Sequence, residues 1–168
     1  MLLDLMRMGT VIQGATYEGA ILTQVTWKNE AGNTHDQAEI LQKTRHFLQL
    51  KTADASGTLI FDMLLGHSAP CKRENSPQSA QLTAEIRTAS LLPHDLTLCF
   101  SAQDILNFTQ IVHDTNSLHQ GVKPLVPGML LFQHVWQATQ VAQIQSLRLR
   151  FTMPVFAEQE VIISYRKL

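Results

Sequence analysis

Polar and apolar positions alternate through the first third of the chain and then give way to helical spacing. ILTQVTWKNEAGNTHDQAEI carries strand-like residues on either side of a turn at Asn29 to Asn33. HFLQLKTADASGTLIFDMLL does the same around Asp54 to Gly57. Both stretches predict antiparallel hairpins, and in the second Leu48, Leu50, Leu59 and Phe61 fall on one face at period two. The span from Asp36 to Lys43 also fits a short helix. HSAPCKRENSPQSA, residues 67 to 80, holds two prolines and few apolar residues and reads as a surface connection.

From Leu82 onward the pattern predicts strand, helix, loop, helix, strand, strand. LTLCF (96–100) is a short apolar strand. Ser101 with Asp104 three residues later forms a capping-box pattern, opening a helix through Ile105, Leu106, Phe108, Ile111 and Val112 that stops near Asp114. A second helix follows Gly128 and is apolar around most of its circumference: Met129 to Phe132, Val135, Trp136, Ala138 and Val141. Such a helix requires wrapping by a sheet or by another subunit. Gln133, Gln137 and Gln140 leave it one narrow polar face able to meet a ligand. SLRLRF (146–151) alternates again, and EVIISY (160–165) follows Pro154.

The 168 residues suit one domain with its own core. We expect a single unit over 1–168, strand-rich over 1–90 and motif-bearing over 91–168. Hydrophobic residues make up 45% and charged residues 16%, with a formal net charge of −1. That balance offers no electrostatic attraction for nucleic acid or an anionic membrane and points to a small or neutral partner. MLLDLMRMGT starts like a signal segment, but Asp4 and Arg7 interrupt the apolar run, and no run approaches the roughly 18 residues of a membrane span. Cys71 and Cys99 show no ligand spacing, and Cys99 in LTLCF reads as a buried thiol. A reducing cytoplasm is the expected setting.

The chemistry concentrates in HDTNSLHQGVKPLVPGML, residues 113–130. Asp114 and His119 stand five apart in a loop between two helices, and a carboxylate and an imidazole aimed at one volume suit proton transfer at neutral pH. Pro127 and Gly128 open the apolar helix, whose first N–H groups and positive dipole end favour a developing oxyanion. Met129 shares that helix start. Base, acid and oxyanion donor are the parts that proton abstraction beside a thioester carbonyl needs. The plainer reading of D-x-N alone is an Asx turn, with Asn116 bracing the loop. His113 and His134 are also able to ligate a metal, but no paired ligand spacing appears, so neither a metal nor another cofactor is expected. Arg148 and Arg150 read as solvated charges on the outer face of a strand.

FSAQDILNFTQIVHDTNSLH resembles the hydratase-2 motif of MaoC-like proteins and (R)-specific enoyl-CoA hydratases. IQSLRLRFTMPVFAEQEV is similar to the strand-turn-strand that follows their central helix. The resemblance covers about residues 98 to 165. It implies an α+β hotdog fold, a long central apolar helix wrapped by an antiparallel sheet, with Asp114 and His119 as the catalytic pair and Asn116 as the motif's Asn. It also implies that Gly128 supplies a backbone amide to the thioester oxygen. A second likeness, HQGVKPLVPGMLLFQHVWQ, is to the beta-hydroxyacyl-ACP dehydratases, whose helix carboxylate falls here on Gln133. A Gln cannot exchange a proton by ionisation, so Asp114 must serve, with Gln133 at most holding a hydroxyl or water. The chain also has Pro127 where MaoC-like enzymes have His, and a shorter loop before the helix.

The family has more long strands than follow the helix here. The expectation is therefore a permuted or rearranged hotdog in which residues 11–66 supply them, or else an N-terminal part that is a degenerate partner half. The implied activity is the reversible dehydration of a (R)-3-hydroxyacyl thioester, on CoA or acyl carrier protein, by a homodimer with no membrane or nucleic-acid partner. A hotdog thioesterase and a non-catalytic acyl-binding or assembly module are the alternatives.

Overall fold

The computed structural model of the protein describes residues 2–10, 17–30, 38–66, 79–140 and 143–168. The chain is α+β. Three helices, α1 (Leu2–Thr10), α2 (Ala102–Val112) and α3 (Gly128–Thr139), accompany eight strands: β1 (Ile21–Lys28), β2 (Glu39–Lys43), β3 (Phe47–Asp54), β4 (Gly57–Leu64), β5 (Ser79–Arg87), β6 (Leu96–Leu98), β7 (Ser146–Arg150) and β8 (Glu160–Lys167). The strands form one sheet in the order β2-β3-β4-β1-β7-β5-β8-β6. One half, β2-β3-β4-β1, comes from residues 21–64 and the other, β7-β5-β8-β6, from residues 79–167, and the two join where β1 meets β7, Val25 opposite Leu149.

The β3–β4 hairpin forms around Asp54 and Gly57 as expected, and Leu48, Leu50, Leu59 and Phe61 are all buried. The first predicted hairpin does not form. β1 instead pairs with β4 and β7, and β2, a strand rather than a helix, pairs with β3. Burial explains the exchange. β1 has Val25, Thr26 and Trp27 to cover, whereas every residue of β2 is exposed, and a strand with so little to bury belongs at an edge. The expected all-antiparallel sheet is mixed, because β5 and β8 run parallel. A parallel pair needs a long crossover, and α2, α3 and β7 lie in the intervening chain. β5 begins at Ser79, inside the expected connection of residues 67 to 80, of which 67–78 lie outside the described residues.

The helices cover one face of the sheet. α1 buries Leu2, Leu5 and Met6 and packs on β3 and β4, while α3 lies on β1, with the Trp136 and Trp27 rings edge to face at 6.4 Å. One continuous apolar cluster joins all three helices and both halves of the sheet. LLDLMRMGT, residues 2–10, is thus a core helix. It also closes the end of α2: Thr10 Oγ1 lies 2.6 Å from Val112 O, and Arg7 Nε donates to Ile111 O at 2.7 Å. These are carbonyls of a last helical turn, which have no intrahelical partner.

The opposite face is polar, and its side chains join into two cross-strand rows. Asp62 on β4 accepts from Gln24 (2.8 Å) and Gln49 (2.7 Å), and Gln24 accepts in turn from Arg150 at 3.1 Å. One register further, buried Glu85 binds Arg148 at 3.3 Å and also pairs with Arg166. Arg148 and Arg150 are therefore paired rather than simply solvated. Burial pushes the Glu85 carboxyl up, yet the Arg166 hydrogen bond and the charges of Arg150, Arg166 and Arg148 outweigh it and hold it below the ordinary glutamate value.

Cys99, expected to be buried, is exposed. β6 ends at Leu98, and Cys99 falls in the irregular step before the α2 cap, while Phe100 next to it is buried. No helix among the described residues is long and apolar enough to cross a membrane.

Candidate active site between the two halves of the sheet

The loop that carries Asp114 and His119 is built by helix-end chemistry. Ser101 and Asp104 form the capping box that starts α2: the Ser101 hydroxyl oxygen accepts from Asp104 N, and the Asp104 carboxylate accepts from Ser101 N. α2 ends at His113, which takes the left-handed conformation at φ 57°, and Asp114 N returns to Thr109 O at 2.9 Å. That reversal delivers Asp114 to the loop. Asp114 Oδ1 then accepts from Asn116 N at 3.0 Å, Asn116 Oδ1 accepts from Leu118 N at 3.2 Å, and a 3-10 turn over Ser117–His119 brings the imidazole round.

Asn116 Nδ2 donates to Ala20 O, 2.9 Å away in the N-terminal half. Its side chain holds the loop against that half rather than pointing free into a site.

His119 Nδ1 sits 2.8 Å from Leu125 O. A carbonyl only accepts, so Nδ1 carries the proton, and Nε2 of the neutral ring keeps its lone pair. Nε2 lies 3.6 Å from Asp114 Oδ2, with both side chains only about a tenth exposed. That separation exceeds a direct hydrogen bond, so two acceptors face one another across a gap that a hydroxyl or water can bridge by donating to both. The rest of the loop is pinned: Leu125 N donates to Leu118 O, Val126 N to Val155 O and Ala157 N to Pro124 O.

The pair lies in the wall of a cavity of about 510 Å³. Leu22, Phe61, Met63, Leu131, Phe151 and Val155 are among the apolar side chains that line it, contributed by both halves of the sheet and by α3. Asn116, Pro127, Gly128 and Met129 line it too, so the start of α3 opens into the same space as Asp114 and His119. Gly128 is needed there sterically: a Cβ would come within 2.9 Å of Leu22 Cδ2 and 3.0 Å of the Phe151 ring. Leu130 N and Leu131 N both turn back to Pro127 O, and the N–H groups of Gly128 and Met129 precede them in the first turn, where helices leave donors for a ligand.

Gln133 is not in this wall. It is half-buried on α3, while Gln137 and Gln140 face solvent and Gln140 Nε2 binds its own helix at Trp136 O, so the polar face of α3 points away from the cavity. His134 packs on the Phe100 ring at 5.1 Å, and burial lowers its pKa against a smaller opposing pull from Asp104. Among the described residues no group of three His, Cys, Asp or Glu is arranged to hold a metal ion.

The N-terminal contributors to the cavity, Leu22, Phe61 and Met63 among them, carry no motif. Only the inward alternation of β4 marks Phe61 as buried. The chain matches no protein-family model and none of the curated proteins it was compared with.

Proposed function

We propose that the protein is a hydro-lyase that interconverts (R)-3-hydroxyacyl and trans-2-enoyl thioesters. The observation that supports this reading best is the Asp114–His119 pair, nearly buried in the wall of an apolar cavity onto which the N-terminus of α3 also opens. In dehydration His119 Nε2 takes the proton from C2, and Asp114, supplying or relaying a proton, releases the C3 hydroxyl as water. The C2–H and C3–O bonds break and the C2–C3 double bond forms. Hydration runs the steps backwards: Asp114 takes one proton of the attacking water, whose oxygen bonds to C3 and keeps the other as the hydroxyl, and His119 Nε2 delivers the proton to C2. The Gly128 N–H steadies the enolate oxygen, an interaction whose loss costs roughly 3 kcal/mol in other enzymes. The likeness of HDTNSLH to the hydratase-2 motif supports the same assignment.

In this reading the helix-on-sheet architecture is a hotdog, with the N-terminal α1 and β1–β4 as a degenerate partner half. That half provides the second wall of the cavity within one chain. The proposal retains a cytoplasmic homodimer, although closing the cavity does not require one. Because Gln133 lies outside the cavity wall, its lack of a carboxylate does not weaken the pair.

Crotonyl-CoA tests the class of reaction. Loss of the enoyl absorbance with no free thiol is the expected result. Thiol release would make the protein a thioesterase, and binding without turnover would make it an acyl-binding module.

A further inference from the structure

The turn that leads into β8 buries Val155, Phe156 and Ala157, so its backbone groups need partners within the protein. Ala157 N donates to Pro124 O at 2.9 Å, Glu158 N to Phe100 O at 2.8 Å and Gln159 N to Phe156 O at 3.2 Å. Phe156 N donates instead to a side chain, Gln159 Oε1 at 3.1 Å, and Gln159 is itself only 4% exposed. Glu158 takes the left-handed conformation at φ 61°, which a residue other than glycine holds only where its surroundings fix it. This turn meets both members of the reactive pair at one remove. Through Phe100 O it is tied to the residue before the α2 cap, and α2 delivers Asp114. Through the bridge between Leu125 and Phe156, with Val126 N on Val155 O at 2.8 Å, it fixes the segment whose Leu125 O faces His119 Nδ1.

We infer that Gln159 is a positioning residue that sets the tautomer of His119, through the turn it closes and the Leu125 carbonyl which that turn holds. The chemical weight of the tautomer rests on the proposed function, in which Nε2 takes the proton from C2. Two acceptors compete for the single N–H of the neutral ring: Leu125 O at 2.8 Å from Nδ1, and Asp114 Oδ2 at 3.6 Å from Nε2. The first distance is a hydrogen bond and the second is not, so the proton stays on Nδ1. If Leu125 O draws back, the Asp114 carboxylate becomes the better acceptor. The proton then moves to Nε2, and the ring loses the lone pair that a base needs. Gln159 lies outside the cavity wall and touches neither side chain of the pair. It acts by keeping Leu125 O in place, since without Oε1 the buried Phe156 N is left unpaired at the bridge itself.

The ring itself reports the effect. In long-range proton–nitrogen correlation spectra, recorded at a pH above the ordinary imidazole range, wild-type His119 is expected as the Nδ1–H tautomer. Gln159→Met keeps a long unbranched side chain but has no oxygen, and should shift the tautomer ratio toward Nε2–H by at least about ten-fold. Turnover of a crotonyl thioester should then lose at least about ten-fold in kcat with KM unchanged within about two-fold. Gln159→Glu retains an oxygen for Phe156 N and should restore both the Nδ1–H form and the rate. An Nε2–H ring in the wild type overturns the inference without any variant, so a Gln159→Met protein that does not fold leaves it falsifiable. A folded Gln159→Met with the wild-type tautomer also overturns it, as does a Gln159→Glu protein that keeps the Nε2–H form. A tautomer shifted in Gln159→Met and restored in Gln159→Glu, with no turnover of any enoyl thioester by the wild type, upholds the positioning role and overturns the hydro-lyase reading.

Discussion

Asp114→Asn is the sharpest single-atom change available. Asn keeps the oxygen that accepts from Asn116 N, so the turn survives while the proton-exchanging group is lost. A fall in kcat/KM of at least about 100-fold with an unchanged melting temperature is expected. His119→Asn is the matching change: it retains a donor near the Nδ1 position for Leu125 O and removes Nε2, with a similar loss expected. A variant of either residue that keeps wild-type turnover would contradict its role. Gly128→Ala probes the oxyanion side. Alanine favours the helix, but its Cβ must displace Leu22 and Phe151, so stability should hold within about 1 kcal/mol while kcat/KM drops about ten-fold or more. Unfolding that explains the whole loss would count against an oxyanion role. The residues of the pair were legible in sequence because the D-x-N-x-x-H spacing is local. Gln133 was misplaced because a likeness gives a helix position but not the direction in which its side chain points.

The helices and strands were legible where one segment decides its own structure. The capping box at Ser101 and Asp104 and the turn at Asp54 to Gly57 are both local, and both form. The partners of β1 were not, because pairing depends on what covers Val25 and Trp27, and Val25 lies opposite Phe61 on β4 and Leu149 on β7, 36 and 124 positions further along the chain.

 Partners that far along the chain leave no local signal, and a turn sequence at Asn29 to Asn33 could not outweigh them. At this scale Asn116→Ala tests the brace between the loop and the N-terminal half. Losing its bonds to Ala20 O and Leu118 N should cost about 1–2 kcal/mol and lower turnover by loosening the pair. Unchanged urea midpoints would show that the brace holds nothing.

Across the whole molecule, the polar rows on the outer face of the sheet tie β3, β4 and β1 to β7, β5 and β8, and they set how stability responds to acid. The Glu85 carboxyl is held below its ordinary value of 4.5 in the folded state, so its contribution is complete above that value and is lost as pH falls through the lower, folded one. Lowered His134 acts with the same sign in a higher window, beginning below its ordinary value of 6.5. Urea midpoints followed from about pH 7 down to about pH 3 should therefore fall in two stages. Glu85→Gln should lose about 1–2 kcal/mol at neutral pH, discounted for the exposure of its arginine partners, and flatten only the more acidic stage. An acid limb identical to that of the wild type would show that the Glu85 cluster does not hold β5 to β7 and β8. The joint at β1 and β7 matters because the cavity needs both halves, a dependence no single stretch of sequence displays. The most direct measurement is the decay of enoyl absorbance when crotonyl-CoA is mixed with wild type and with Asp114→Asn in parallel, both shown to be folded and with free thiol monitored. Decay confined to the wild type, without thiol, is the expected result. Equal decay in both proteins would contradict the role given to the Asp114–His119 pair, and no decay in folded wild type with either CoA or carrier-protein thioesters would contradict the hydro-lyase itself.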